Sequence, residues 1–262
     1  MENENNDILK KMPLVDYNKA LQFMQNLEYS DIDNINYLEQ QLYAQLQNNQ
    51  ADIDLLVLMM HQQIMKGRGQ RARSIAYKIW EMGGEMRLSS EQIFVNDLMN
   101  LGLSDMAGAA LAAYIADLEN NMANYGNLLL KYAVYSGNMT LLGKILNYFP
   151  ESKNKIVLQD WIQLNEDYDV TKHIPAILNR IIEKVQDSML GFSYNLFYDR
   201  EIPDIEFIFY VDDSIKNYKE TSNILNMQIA TYCAAHKIED LINLNSVVYP
   251  ITKHLSDVVE KL

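Results

Sequence analysis

The chain has 262 residues, 48% of them hydrophobic and 22% charged, with 10 Gly and 5 Pro; this excludes a disordered or collagen-like polymer and allows a sizeable core. Lys and Arg number 22 against 35 Asp and Glu, a formal charge of −13 that repels phosphate backbones and anionic lipid, so neither nucleic acid nor a membrane is an expected partner. The lone cysteine, Cys233, has no intrachain disulfide partner, and the expected location is the cytoplasm.

Residues 1–15 are acidic and amide-rich without an apolar run, and are expected to form a loose tail rather than a targeting peptide. YNKALQFMQNLE from Tyr17 and NINYLEQQLYAQL from Asn34 read as two helices parted by a turn around Ser30 to Asp33. The most apolar stretch, Met106 to Ile115, is half the length that a membrane span needs.

Three segments then align on a glycine at a fixed spacing of 35 residues: GRGQRARSIAYKI from Gly67, GLSDMAGAALAAYI from Gly102 and GNMTLLGKILNYF from Gly137. After each glycine, small or apolar residues recur at the same offsets: Ala72, Ile75, Ala76 and Ile79; Ala107, Ala110, Leu111 and Tyr114; Leu142, Ile145, Leu146 and Phe149. That is one helix face, and the glycine is expected to end one helix and turn the chain into the next. Before the glycines, Met59 and Met60, then Phe94, Val95 and Leu98, then Leu129, Leu130 and Ala133 mark the inward face of another helix, with Gln63 as a polar misfit. Downstream, Trp161 and Leu164, then Ile177 and Ile181, extend the pattern across the polar connection NEDYDVTKH, with Pro175 suited to a first helical turn.

A period in this range signals stacked helical hairpins, because one hairpin cannot bury its apolar face alone. The pattern resembles the tetratricopeptide family, with Ala72 and Ala107 as the small residue early in the second helix, and Leu142 departing from it. The family's aromatic near the start of the first helix is replaced by Leu56, Glu91 and Gly126, and its closing proline by Gly84, Glu119 and Asn154. The expected fold is mainly α: a tetratricopeptide-like α-solenoid over residues 16–189, followed by a small α+β domain or cap over 190–262.

In that last part the periodicity changes to alternation. FSYNLFY, the turn residues DREIPD and IEFIFYV read as an antiparallel hairpin with Phe207, Phe209 and Val211 on one face. A helix from about Tyr218 to His236 is expected next, capped by Thr221 or Ser222, with Leu225, Ile229, Tyr232 and Cys233 on one side. LINLNSVVY reads as a third strand, and Ile251, Leu255, Val258, Val259 and Leu262 as the stripe of a final helix.

The expected binding surface follows from the resemblance, which implies that the first helices line a concave face. Position by position this places Val57, His61, Ile64, Gln92, Asn96, Met99, Asn100, Asn127, Lys131, Val134 and Tyr135 there. Of these, His61, Gln92, Asn96, Asn100, Asn127, Lys131 and Tyr135 are the candidate peptide-binding residues. Asn amides can satisfy the backbone of an extended peptide, and Lys131 can meet a carboxylate. The alternative surface is the basic island Lys66, Arg68, Arg71 and Arg73.

No catalytic constellation, metal site or cofactor is expected. GRGQRA follows a helix rather than a strand, so it reads as an interhelical turn and not a dinucleotide loop. His61, His173, His236 and His254 lack metal-ligand spacing, and Cys233 lies on an apolar helix face. Tyr210, Val211, Asp212 and Asp213 resemble the strand-end tetrad of reverse transcriptases, which makes a carboxylate-bearing enzyme in the C-terminal part the alternative to a noncatalytic scaffold. Within the scaffold class, the negative charge suits a basic partner, as for a secretion chaperone or a toxin-neutralising protein.

Overall fold

The computed structural model describes residues 17–27, 31–149, 153–185, 188–198, 202–212 and 217–251. The expected N-terminal tail, His254, Asp213 and all but the first residue of the expected final helix lie outside them; Ile251 ends a strand instead.

The described chain is mainly helical with a small C-terminal sheet. In order it forms α1 (Tyr17–Gln25), α2 (Ile32–Asn48), α3 (Ile53–Met65), α4 (Gly69–Met82), α5 (Leu88–Asn100), α6 (Ser104–Ala116), α7 (Leu118–Tyr135), α8 (Met139–Leu146) and α9 (Lys153–Tyr168). A single 3-10 turn (Thr171–His173) leads into α10 (Ile174–Val185), and β1 (Met189–Phe197), β2 (Asp204–Asp212), α11 (Tyr218–His236) and β3 (Asn243–Ile251) complete it. Each helix packs on the next from α1 to α4 and from α5 to α9, and α3 also packs on α5, and α5 on α7.

Three interhelical turns share one bonding pattern. Gly67, Gly102 and Gly137 take φ of 64°, 72° and 64°, a left-handed backbone that is costly for residues with a Cβ. The N–H of the following residue reaches back five positions: Arg68 to the Gln63 carbonyl at 2.9 Å, Leu103 to Leu98 and Asn138 to Ala133, both at 2.8 Å. These bonds satisfy carbonyls that the helix end would leave orphaned. At Gly137 an added Cβ would stand 2.3 Å from the Thr171 carbonyl oxygen, against 3.2 Å from the Ile182 side chain at Gly102. The next turn is built differently, with Asp169 in the left-handed conformation (φ 53°) and the 3-10 segment inserted before α10.

One hydrophobic cluster runs from Leu56 through the helices to Phe207 and Val248, so the sheet shares the helical core. Ala72 and Ala107 are fully buried, as are Leu142 and Ile181, and Trp161 and Ile177 are nearly so. A second cluster joins α1, α2 and α3 through Phe23, Leu38, Leu42 and Leu58.

The sheet has the order β1-β2-β3. β1 and β2 pair antiparallel with Phe192 opposite Phe209, and β2 and β3 pair parallel with Phe209 opposite Val248. The parallel pair requires a crossover, which α11 supplies. Leu225, Ile229, Tyr232 and Cys233 are its buried face, and it packs on β3. Neither Thr221 nor Ser222 caps it: Asn217 stands at the N-cap, and Ser222 Oγ accepts the Val248 N–H of β3 at 2.9 Å. The hydroxyl serves the expected third strand, through a contact that the local sequence does not reveal.

Candidate functional site

The repeat spacing sets three polar residues on successive first helices: His61 on α3, Asn96 on α5 and Lys131 on α7. Lys131 Nζ donates to Asn96 Oδ1 at 2.8 Å and to Asn100 Oδ1 at 2.9 Å, and lies 5.7 Å from the Tyr135 ring centroid. His61 Nδ1 is 2.8 Å from Oδ2 of Asp97. Asp97 is fully buried, and its Oδ1 has no hydrogen-bond partner among the described residues.

These groups are held at an energetic cost. Burial drives the Lys131 ammonium down to about 8, against the pull of the Asp97 carboxylate. Burial also opposes protonation of His61, but the charge and hydrogen bond of Asp97 outweigh it and raise the imidazole above its ordinary value. The imidazole keeps an opening to solvent, its side chain being 26% exposed.

The chain covers part of this face itself. β1 lies against α3, and Phe192 packs on Tyr135 with ring centroids 4.5 Å apart. Val57, Ile64, Met99, Val134 and Tyr135 are buried, while His61, Asn96, Asn100 and Lys131 are partly accessible.

The seven candidate residues therefore fall in two places. His61, Asn96, Asn100, Lys131 and Tyr135 are brought together; Gln92 and Asn127 are not among them. They line a separate cleft of about 350 Å³ with Met122 and Phe149, where Gln92 donates to the Asn124 carbonyl at 2.6 Å. Asp97 is the residue that the sequence reasoning passed over, although an acid between Val95 and Leu98 on an apolar face was a signal.

The basic island has its own anchor. Lys66 donates to Asn36 Oδ1 at 2.6 Å and to Glu39, Arg68 bonds Glu39 at 3.0 Å, and Arg71 lies 3.9 Å from the same carboxylate. Burial raises the Glu39 pKa, but bonds from Lys66 and Gln63 and the two cations bring it below the ordinary value. Gln63 donates to Glu39 at 3.0 Å, which accounts for a polar residue at that inward position. Arg73 is apart from the island's other cations and bonds the Leu101 carbonyl in the next turn.

The remaining chemistry is quiet. Burial and the nearby Glu239 push the Cys233 thiol up, away from the thiolate a nucleophile needs. Among the described residues no group of three or more His, Cys, Asp or Glu could hold a metal ion, and no helix is long and apolar enough to cross a membrane. No protein-family model, curated protein or solved structure matches the chain.

Proposed function

We propose that the chain is a noncatalytic protein- or peptide-binding scaffold, its hairpins stacked as a tetratricopeptide-like α-solenoid, and that it recognises partners along the first helices. The observation that carries this reading is the row of His61, Asn96, Asn100 and Lys131 on α3, α5 and α7, partly accessible, with Lys131 bonded to both asparagines and His61 to Asp97. Lys131 occupies the amide oxygens of Asn96 and Asn100, which leaves their N–H₂ groups as donors for peptide carbonyls. An incoming carboxylate would restore to Lys131 the partner that burial denies it.

The repeated glycine turns support the stacking, since equal turns at equal spacing place equivalent helices side by side. The charge of −13 favours a partner that is basic overall, the situation of a secretion chaperone or a toxin-neutralising protein, and cytoplasmic residence belongs to the same proposal.

The test is to select binders from a displayed library of random peptides and measure their affinity for variants of the full chain. Lys131→Met, and Asn96→Ala with Asn100→Ala, should each weaken binding about tenfold while helical circular dichroism is unchanged. Arg71→Ala should leave it unchanged. Loss of binding in Arg68→Ala and Arg71→Ala, with the row variants unaffected, would move the surface to the basic island.

A further inference from the structure

A second cleft, of about 510 Å³, opens between the C-terminal part of α4, the Gly83 to Met86 connection, the start of α5, and α6. Its lining contains two carboxylates, Glu85 and Glu91, and no lysine or arginine. Glu91 is held in place by two tyrosines: Tyr114 Oη donates to Oε1 at 2.7 Å, and Tyr125 Oη donates to Oε2. The two rings stack with centroids 3.9 Å apart, so the carboxylate sits on a rigid aromatic support. Each oxygen retains a lone pair for another donor. On the rim, Trp80 is 44% exposed, and Glu85 is exposed beside it.

From this combination we infer that the cleft receives an arginine side chain from a basic partner protein, its guanidinium bonding Glu91 and stacking on Trp80. A fixed carboxylate matches the planar fork of donors, and an exposed indole face attracts a weakly hydrated cation. Phe94, Ile79 and Ala110 supply apolar wall for the methylene stem. The net negative charge of the chain brings such a partner in, but the cleft distinguishes arginine from cations in general. This surface lies on different residues from the row of Asn96 and Lys131 and is tested separately from it.

The experiment titrates a fluorescent short peptide of alternating alanine and arginine into the full chain at low salt and reads polarisation. Counterparts carry citrulline, which keeps the shape without the charge, or lysine, which keeps the charge without the fork. Arginine should bind saturably, lysine about fivefold or more weaker, and citrulline not measurably. Glu91→Gln, which keeps one acceptor oxygen for a tyrosine hydroxyl and presents its N–H₂ to the oxygen of the other, should weaken binding about tenfold, and Trp80→Ala, at an exposed position, several-fold. Asp105→Asn, an exposed acid outside the cleft lining, controls for general attraction and should change nothing. Equal affinity for the arginine and lysine peptides, or equal losses in Glu91→Gln and Asp105→Asn, would overturn the assignment in favour of nonspecific charge attraction. If Glu91→Gln fails to fold, unchanged binding in Trp80→Ala alone overturns it.

Discussion

Helices α3 and α5 are built on one plan and α4 and α6 on the opposite one. In α3 every residue from Leu55 to Met65 is buried except His61, whereas α4 buries only Gly69, Ala72, Ala76 and Ile79. α5 likewise buries Asp97 among Phe94, Val95, Leu98 and Met99, while α6 buries only Ala107 and Leu111. α4 and α6 each present one narrow stripe, and α4 leaves the aromatics Tyr77 and Trp80 exposed, whereas the shorter α8 buries Met139, Leu141, Leu142, Ile145 and Leu146. First helices are enclosed on most sides, so a polar group placed on them is desolvated, and its charge and hydrogen bonds become stronger levers. Register is thus set by the turns and the second helices, and on the proposed reading recognition falls to the first.

If register depends on the turns, the largest loss of stability should come from Gly137→Ala. It sets a Cβ against the Thr171 carbonyl in a left-handed backbone and should cost more than about 3 kcal/mol in urea unfolding. Gly83→Ala is the comparison, since its φ is also positive, with ψ 178° in a region essentially confined to glycine, but nothing lies within 4 Å of the added atom; about 1–3 kcal/mol of backbone strain alone is expected. Equal costs would show that the Gly137 turn is not pressed against the following segment.

On the second helices, Ala107→Phe should overpack the α5–α6 contact and cost about 1–3 kcal/mol, against little for the exposed Asp105→Asn. A first-helix change should act in the other direction. Lys131→Met removes a desolvated charge and should raise stability by about 1 kcal/mol at neutral pH while weakening the proposed binding about tenfold. The sign follows from the folded pKa lying below the unfolded one: the penalty is complete below pH 8 and is relieved as pH rises from about 8 towards 10.5. Wild-type stability should therefore gain relative to Lys131→Met over that window, and parallel profiles would contradict the assignment.

The smallest effect is expected where the helices meet the C-terminal part. His173 bonds Tyr232 at 3.0 Å, and His236 stacks on that ring with centroids 3.9 Å apart. Burial, with His236 and Lys172, holds the His173 pKa below 6.5, so the unfolded chain takes up the proton first and stability is lost as pH falls below that value. His61 has the opposite sign, its raised pKa giving stability that is present below pH 6.5 and lost as pH rises through the folded value. His173→Phe should flatten acid destabilisation by less than about 1 kcal/mol in thermal melts from pH 7 to 5.

The glycine turns were legible because a left-handed helix end selects glycine directly, and Gly67, Gly102 and Gly137 could be aligned without any knowledge of the fold. The strand hairpin was legible from alternation, and α11 spans Tyr218–His236 as its pattern suggested. Asp169 hid the following turn, because a non-glycine residue there gives no sequence signal. The parallel pairing of β2 and β3, and the packing of β1 on α3, depend on contacts distant in sequence, where local periodicity is silent. For the same reason the seven candidate residues looked like one row: spacing gives the helix face, but Gln92 lies one turn before Asn96 and is drawn into the neighbouring cleft by Asn124. Asp97 and Glu91 acquire their significance only from partners 23 to 36 residues away.

The central claim, that recognition takes place on the first helices, is tested most directly by photo-crosslinking a library-selected peptide to the full chain and mapping the adducts by mass spectrometry. Adducts are expected on α5 and α7 around Asn96, Asn100 and Lys131, and should be strongly reduced in Lys131→Met. Adducts confined to Lys66 through Arg73, or to the second helices, would contradict it.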